Sequence, residues 1–343
     1  MVRALCRTAV FAAVFAAIIV ILPAASSPKA GSSSFSFALI GDVPYGAGDD
    51  VKLDRIISQV NDDHKLAWVL HVGDIKNGSS DASNALIQSR FSQYQHFNPA
   101  FIYTPGDNEW TDVHRTGRYP LERLAYVRSV FFPTPGMSTG GDPMAVRTQA
   151  ADAGFGDFVE NQLWVKSQVV FSAIHVVGSH NDLDPWTGYD ATDSTSSPRA
   201  DRINEYTKRL QANLAWIDQT FATAAAQDAK GVFIMMQADP AFELARTSSD
   251  RNGYNEIIDA LTAKTVEFGK PVVVAHGDSH FFRYDKPLTA PAADHVSHRV
   301  ENFSRVETFG SEDVHWVRVT VDPKSETVFF FEPVVIAANR FAR

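Results

Sequence analysis

The sequence has almost no cysteine, since Cys6 is the only one among 343 residues. Cys6 precedes an apolar run, residues 9–22, which follows Arg3 and Arg7 and is followed by small residues at 23–27. This order is typical of a secretory signal peptide, with an uncleaved membrane anchor as the alternative. Cleavage would remove Cys6 and leave the mature chain without a thiol, a disulfide or a cysteine metal ligand.

Positive charge is also scarce, because 31 Lys and Arg stand against 40 Asp and Glu, for a formal net charge of −9. This balance argues against a nucleic-acid-binding surface, whereas acidic residues suit a site for polyvalent cations. The composition, 45% hydrophobic and 21% charged, is that of a globular protein with a large core. We assign residues 1–26 to a signal peptide, 27–35 to a linker and 36–343 to a folded domain. We therefore expect a secreted or periplasmic protein, or one anchored in a membrane by residues 9–22.

Strand-like and helix-like segments alternate along the chain. Residues 35–40, 68–72 and 101–104 are apolar and predict buried strands, while residues 50–61 and 81–95 have helical spacing. Short connections between such segments favour parallel pairing with right-handed crossovers, so the fold class is α/β. Further helices are predicted at 120–132, 199–227 and 255–268, strands within 163–177 and at 231–236, 271–275 and 315–335, and a surface excursion at 133–157.

Acidic residues follow glycine where predicted strands end, as Gly41-Asp42, Gly73-Asp74, Gly106-Asp107 and the run His276-Gly277-Asp278-Ser279-His280. The first three pairs are 32 and 33 positions apart, about one βαβ unit each, so they should share one edge of a sheet. A single Gly-Asp pair more often turns the chain and caps a helix. Four carboxylates in one cleft would repel each other unless cations neutralised them, and together with one imidazole they suit Mn, Mg, Fe or Zn.

The order of these motifs resembles that of the calcineurin-like metallophosphoesterase superfamily. The family pattern is Asp-x-His, Gly-Asp, Gly-Asn-His-Asp/Glu, a lone His and Gly-His-x-His, each placed after a strand. The resemblance covers about residues 36–333 and implies a four-layer α/β/β/α sandwich of two mixed sheets, with a two-metal cleft at their edge. It also implies that two divalent ions share Asp74, where they would polarise a phosphoryl group and generate hydroxide.

In the set of metal ligands that the resemblance implies, oxygen donors stand where the family pattern has several imidazoles. The family's first-motif His falls on Pro44, which cannot ligate, and its leaving-group His falls on Asn108, which can hydrogen-bond a phosphate but cannot transfer a proton. We therefore predict a preference for Mn, Mg or Fe over Zn, relative to the usual family site. The implied ligands are Asp42, Asp74, Asp107 at the family's Asn position, Gln237 near its lone His, Asp278 at its penultimate His, and His280.

Other polar residues near these motifs are candidates for contact with substrate. Arg115 could bind a phosphate, His180 could line the cleft, and His276 could replace the missing proton donor, although each could equally have a structural role. Tyr45 could donate a phenolate to iron, but a packed loop aromatic is the commoner case. The predicted function is an exported phosphoesterase acting on small phosphate mono- or diesters. The alternative is a non-catalytic metal- or ligand-binding module on the same fold.

Overall fold

The computed structural model describes residues 33–291 and 296–340. The predicted signal peptide, residues 1–26, lies outside the described residues. Within the described ranges, no helix combines the length and the apolar character that a membrane crossing requires.

The domain contains fifteen strands, six α-helical segments and four short 3₁₀ helices in the described part of the chain. The fourth helical segment is a single turn whose residues 179–182 have positive φ, so it is left-handed. In chain order the elements are β1 (Phe35–Ile40), α1 (Ala47–Asp62), β2 (Leu66–His71), α2 (Asn84–Tyr94), β3 (Ala100–Tyr103), α3 (Pro120–Phe131), β4 (Thr139–Gly140), β5 (Arg147–Thr148), β6 (Gln162–Lys166), β7 (Val169–Ala173), α4 (Gly178–Asp182), α5 (Ala200–Ala226), β8 (Gly231–Met235), α6 (Asn255–Phe268), β9 (Val272–His276), β10 (Arg283–Asp285), β11 (Thr289–Pro291), β12 (Ser297–Arg299), β13 (Phe303–Glu307), β14 (Trp316–Val321) and β15 (Phe329–Val334).

Two mixed sheets form the centre of the domain. The first has the strand order β15-β14-β1-β2-β3-β4, and β1, β2 and β3 are parallel, with Ile40 opposite His71 and His71 opposite Tyr103. The second has the order β10-β13-β9-β8-β7-β6-β5, in which β7, β8, β9 and β13 are parallel. Because parallel strands end at the same edge, the residues that come directly after them are brought together.

Alternating side chains on each strand divide the core into three apolar layers. On β1, Phe37 and Leu39 pack between the two sheets against residues of β7 and β8 such as Phe233. Their neighbours Ala38 and Ile40 face the opposite way and pack against α1, α2 and α3. The outer face of the second sheet is covered by α5 and α6. The layers are therefore α/β/β/α, as the resemblance implied.

Most of the predicted elements are confirmed, and α6 has the predicted bounds. The structure differs at residues 133–157, which contain the short strands β4 and β5 within the predicted surface excursion. It also differs at residues 283–307, where the sequence predicted no strand and the structure has β10 to β13. Of these, β13 completes the parallel part of the second sheet beside β9.

Candidate metal centre

The acidic residues that come after β1, β2, β3 and β9 meet in one cluster. One carboxylate oxygen each from Asp74, Asp107 and Asp278 lie within 4.8 Å of one another. Asp42 joins them, because its Oδ1 accepts a hydrogen bond of 3.0 Å from the backbone N–H of Asp278 and lies 3.5 Å from Nε2 of His280. The cluster lines a cleft of about 360 Å³ whose wall is formed by Tyr45, Asp74, Asn77, Gly78, Ser79, Asp107, Asn108, Asp112, Arg115, Asp278 and His280.

Four of the six residues expected to be metal ligands have a left-handed backbone. The φ angles of Asp42, Asp74, Asp278 and His280 are 53°, 60°, 80° and 67°. Residues other than glycine rarely adopt this backbone conformation. The sequence had suggested that the preceding glycines make these turns, but only Gly73 has positive φ, at 105°. Such backbone conformations concentrate at functional sites, where the surrounding structure holds them in place.

The glycines of the motifs instead allow the carboxylates to approach the backbone closely. A Cβ at Gly106 would lie 2.0 Å from Oδ1 of Asp74, and a Cβ at Gly277 would lie 2.0 Å from Oδ2 of Asp42. Neither position could carry a side chain without displacing the acidic residue beside it. Each of these two carboxylates therefore depends on a glycine from a different strand end.

A buried glutamate holds the ends of β2 and β3 together beneath the cluster. Oε1 of Glu109 accepts hydrogen bonds from the backbone N–H of Asp74 at 3.2 Å, from that of Gly106 at 2.6 Å and from the hydroxyl of Tyr103, while Oε2 accepts one from Ile75 at 3.3 Å. Glu109 is fully buried. Its carboxylate is thus occupied by backbone donors and positions the site from below.

The hydroxyl of Tyr45 lies at the centre of the cluster. It accepts a hydrogen bond of 2.9 Å from Nδ2 of Asn108 and lies 3.2 Å from Oδ2 of Asp74, 3.2 Å from Nε2 of His280 and 3.5 Å from Oδ1 of Asp42. Burial raises the pKa of this phenol, and the charges of the neighbouring carboxylates raise it further. The sequence favoured a packed loop aromatic here, whereas the structure makes Tyr45 a member of the site.

Burial is the main cause that raises the pKa of Asp42, Asp74 and Asp107, and repulsion between the carboxylates raises it further. Burial also raises the pKa of Asp278, to about 6. Among the described residues, Oδ2 of Asp42 is buried and has no hydrogen-bond partner. An arrangement of this kind would be stabilised by bound cations, and its hard oxygen ligands fit divalent ions of the kind that the resemblance implies.

The orientation of His280 and of Gln237 is set by backbone groups. Nδ1 of His280 donates to the carbonyl oxygen of Ser311, so Nε2 is the ring nitrogen that faces the cluster. Oε1 of Gln237 accepts a hydrogen bond of 2.6 Å from the backbone N–H of Gly178. Its amide nitrogen therefore points at Asp74 and Asp278, each at 3.2 Å. Gln237 thus donates to these two carboxylates and does not offer them the oxygen that the sequence suggested.

Both Asn108 and Arg115 lie in the cleft. Asn108 donates to Asp74 through its backbone N–H at 3.0 Å and through Nδ2 at 2.8 Å. The side chain of Arg115 is 48% exposed, and its Nη1 lies 2.6 Å from Oδ2 of the buried Asp112. Asp112, which the sequence did not single out, therefore anchors the guanidinium at the wall of the cleft.

The two other predicted histidines lie away from the cleft wall. His180 pairs through Nδ1 with Asp184 at 2.7 Å, and it is the preceding residue, Ser179, whose hydroxyl reaches Asp107 at 2.9 Å. His276 is fully buried and belongs to a second group of side chains, with Asp239 and Glu307. His276 is therefore not placed to donate a proton to a substrate in the cleft.

Two similar solved structures are the NAD nucleotidase of Haemophilus influenzae, at 13% identity and TM-score 0.40, and GAP50, the anchor in the inner membrane complex of Plasmodium, at 8% identity and TM-score 0.42. The first match covers 89% of this chain and 50% of the nucleotidase, so this chain spans about half the length of that protein; the second covers 88% of this chain and 89% of GAP50. No curated protein matches the chain. The sequence model of the calcineurin-like phosphoesterases matches residues 35–282, most of the chain, and the protein therefore belongs to the calcineurin-like phosphoesterase family.

Proposed function

We propose that the protein is a metal-dependent phosphoesterase that hydrolyses small phosphate mono- or diesters in the cleft beside the acidic cluster. The observation that carries the proposal is the meeting of four acidic side chains and one imidazole, from the ends of four strands. All of them except the fully buried Asp42 line one open cleft. A purely structural cluster of buried carboxylates would be costly without cationic partners.

The donors fall into two sets that share one residue. Asp42 and His280 both lie within 3.5 Å of the Tyr45 hydroxyl and of each other, while Asp107 and Asp278 lie beside Asp74. Oδ2 of Asp74 is 3.2 Å from the Tyr45 hydroxyl, so it is close to both sets. Divalent cations held by these sets would polarise a phosphoryl group and lower the pKa of water. Because four carboxylates accompany one imidazole, we propose Mn, Mg or Fe in preference to Zn.

The chain's own side chains would bind and orient the phosphate. Arg115 presents a guanidinium that Asp112 holds at the cleft wall, and such a group pairs well with phosphoryl oxygens. Asn108 can donate to a phosphoryl oxygen once cations have replaced its present contacts. Neither group can deliver a proton to a leaving group, and His276 is buried elsewhere. We therefore propose that water protonates the leaving group, which favours aryl esters and other substrates with weakly basic leaving groups.

The test is turnover of aryl phosphate mono- and diesters by the chain reconstituted with Mn²⁺. Asp74→Asn removes the shared carboxylate and should reduce kcat/KM by at least about 100-fold and lower the number of bound ions. Asp54→Asn changes an exposed aspartate on α1 in the same way and should leave both unchanged. If the wild type binds no ion and turns over no ester faster than Asp74→Asn, the chain is instead a non-catalytic binding module.

We also propose that the protein is exported by cleavage after a signal peptide at residues 1–26. The support is the order of Arg3, Arg7, the apolar run 9–22 and the small residues that come after it. N-terminal sequencing of the protein from its host would find a chain that begins near residue 27. A full-length chain that fractionates with membranes would instead support an anchor at residues 9–22.

A further inference from the structure

A second group of ligand-type side chains lies at the carboxyl ends of β8, β9 and β13. One atom each from Asp239, His276 and Glu307 lie within 4.8 Å of one another. His276 and Glu307 are the last residues of two parallel strands and stand opposite each other in the register. Asp239 comes after β8, the neighbouring strand on the other side of β9. Three adjacent strands therefore each contribute one donor.

Two of these side chains are buried, and each has one polar atom that lacks a hydrogen-bond partner in the part of the chain that the structure describes. Among the described residues, neither Nε2 of His276 nor Oε1 of Glu307 makes a hydrogen bond, and both side chains are fully buried. Nδ1 of His276 lies 2.9 Å from the carbonyl oxygen of Gly277 and must donate to it, so Nε2 of the neutral ring carries a lone pair. This nitrogen is 4.0 Å from Oδ1 of Asp239. Buried polar atoms of this kind usually have a partner.

The carboxylates of the group are oriented from outside by one arginine. The guanidinium of Arg283 donates to Oδ2 of Asp239 at 2.8 Å and to Oε2 of Glu307 at 2.6 Å. Arg283 thus fixes one oxygen of each carboxylate. The other oxygen of Asp239, Oδ1, lies 4.0 Å from Nε2 of His276, accepts a hydrogen bond of 3.1 Å from the backbone N–H of Ala241 and lies 3.6 Å from Nη1 of Arg305. Such outer hydrogen bonds are the usual means by which proteins orient metal ligands.

The charges around the group do not balance. Two guanidiniums, from Arg283 and Arg305, are surrounded by four carboxylates, which leaves an excess of two negative charges. One divalent cation would restore neutrality. The four carboxylates are those of Asp239, Glu243, Asp285 and Glu307.

We propose that Nε2 of His276, a carboxylate oxygen of Asp239 and Oε1 of Glu307 bind one divalent transition-metal ion, separate from those of the cleft. One imidazole and two carboxylates suit Mn, Fe or Zn, with a fourth position open to water on the side of Asp239, the one member whose side chain is partly exposed, at 17%. The backbone N–H of Asp239 donates to Oδ2 of Asp278 at 3.2 Å, so an ion here would fix a residue of the cleft from behind.

The test is the number of Zn²⁺ ions bound per chain, measured after all metal has been removed and the protein has been reloaded with Zn²⁺. This measurement does not depend on catalysis. His276→Ala should bind one ion fewer than the wild type. His315→Ala is the matched control, because His315 is also a buried histidine with an unpartnered ring nitrogen among the described residues, but lies outside both clusters. Asp74→Asn should lose ions of the cleft and keep the ion at His276.

A second measurement covers the case in which His276→Ala does not fold. Glu307→Gln keeps the volume of the side chain and removes one ligand charge, and it should also bind one ion fewer than the wild type. Crystals of the Zn²⁺-loaded wild type should show an anomalous peak among the three donor atoms. Equal ion counts in wild type and both variants, or a water without anomalous signal at that position, would overturn the proposal while leaving the proposed function of the cleft intact.

Discussion

Ionisation of Asp278 should cost the metal-free protein measurable stability. Burial raises the pKa of this carboxyl from 3.8 to about 6. The native state then holds the proton more tightly than the unfolded chain, so the protonated carboxyl stabilises the fold at acid pH, and this stabilisation is lost as the pH rises through about 6. From the difference between the two pKa values, ionisation of Asp278 lowers the free energy of unfolding by about 3 kcal/mol in total. About 2 kcal/mol of this loss falls between about pH 4.5 and about pH 7.5.

Asp278→Asn removes this ionisation, because an amide does not ionise. The pH dependence of the free energy of unfolding of the wild type alone would not be sufficient, because the titration of His71 changes the stability in an overlapping pH range and in the opposite direction. Burial lowers the pKa of His71 to about 4, so the unfolded chain binds that proton more tightly and the stability contributed by His71 rises with pH. The difference in the free energy of unfolding between variant and wild type cancels the contribution of His71.

The assay is urea denaturation of chelator-treated wild type, Asp278→Asn and the exposed control Asp54→Asn at the two pH values. Relative to the wild type, Asp278→Asn should gain about 2 kcal/mol on going from the lower to the higher pH, and Asp54→Asn should gain nothing comparable. Saturating Mn²⁺ should reverse the sign at the higher pH, because the ion binds only the native state and the variant lacks a ligand. A difference that stays constant with pH in the metal-free proteins would refute the reasoning.

Two further substitutions test how the site is held. Glu109→Gln would turn an amide N–H₂ toward one of the four donors that the carboxylate now accepts from, and urea denaturation should show a loss of stability of about 2 kcal/mol. The control Glu267→Gln, at a side chain 78% exposed, should change the stability by less than about 0.5 kcal/mol. Equal effects of the two substitutions would contradict the role of Glu109. Gly106→Ala places a Cβ 2.0 Å from Oδ1 and 2.6 Å from the backbone nitrogen of Asp74, and metal analysis should find fewer bound ions. Gly156→Ala has no atom within 4 Å and should retain them, and retention by both would show that the close approach is not required.

The convergence of the acidic residues could be predicted because it depends on local patterns and one topological rule. Apolar segments of strand length, separated by helical spacing, identified β1, β2 and β3, and parallel pairing places the residues at their carboxyl ends along one edge of the sheet. Asp42, Asp74 and Asp107 therefore needed no long-range information. Asp278 required only that a strand of the second sheet end at the same edge.

The features that could not be predicted depend on contacts between distant parts of the chain. Strand β13 contains Arg305 and Glu307, whose charges are typical of a loop, yet both are buried because they pair with Asp285 and Arg283. The phenol of Tyr45 lies at the centre through contacts with Asp74, Asn108 and His280, which are distant in the sequence. His276 is two residues from Asp278, but it is still within β9 and its ring enters a different group, whereas Asp278 lies beyond the turn at Gly277.

The charge of the cleft bears on which ester it prefers. In the family pattern, the positions of Asp107 and Asp278 carry Asn and His, so this chain adds two negative charges to the ligand set. With Asp42 and Asp74, four carboxylates would neutralise two divalent ions, and the attraction for a dianionic phosphate then rests mainly on Arg115. A monoanionic diester meets less repulsion on entering such a site, so kcat/KM for an aryl diester should exceed that for the matching monoester by at least about tenfold, or about 1.4 kcal/mol in transition-state free energy.

Arg115→Gln should lower kcat/KM more for the monoester than for the diester, and equal losses would mean that the balance of charge does not select the substrate.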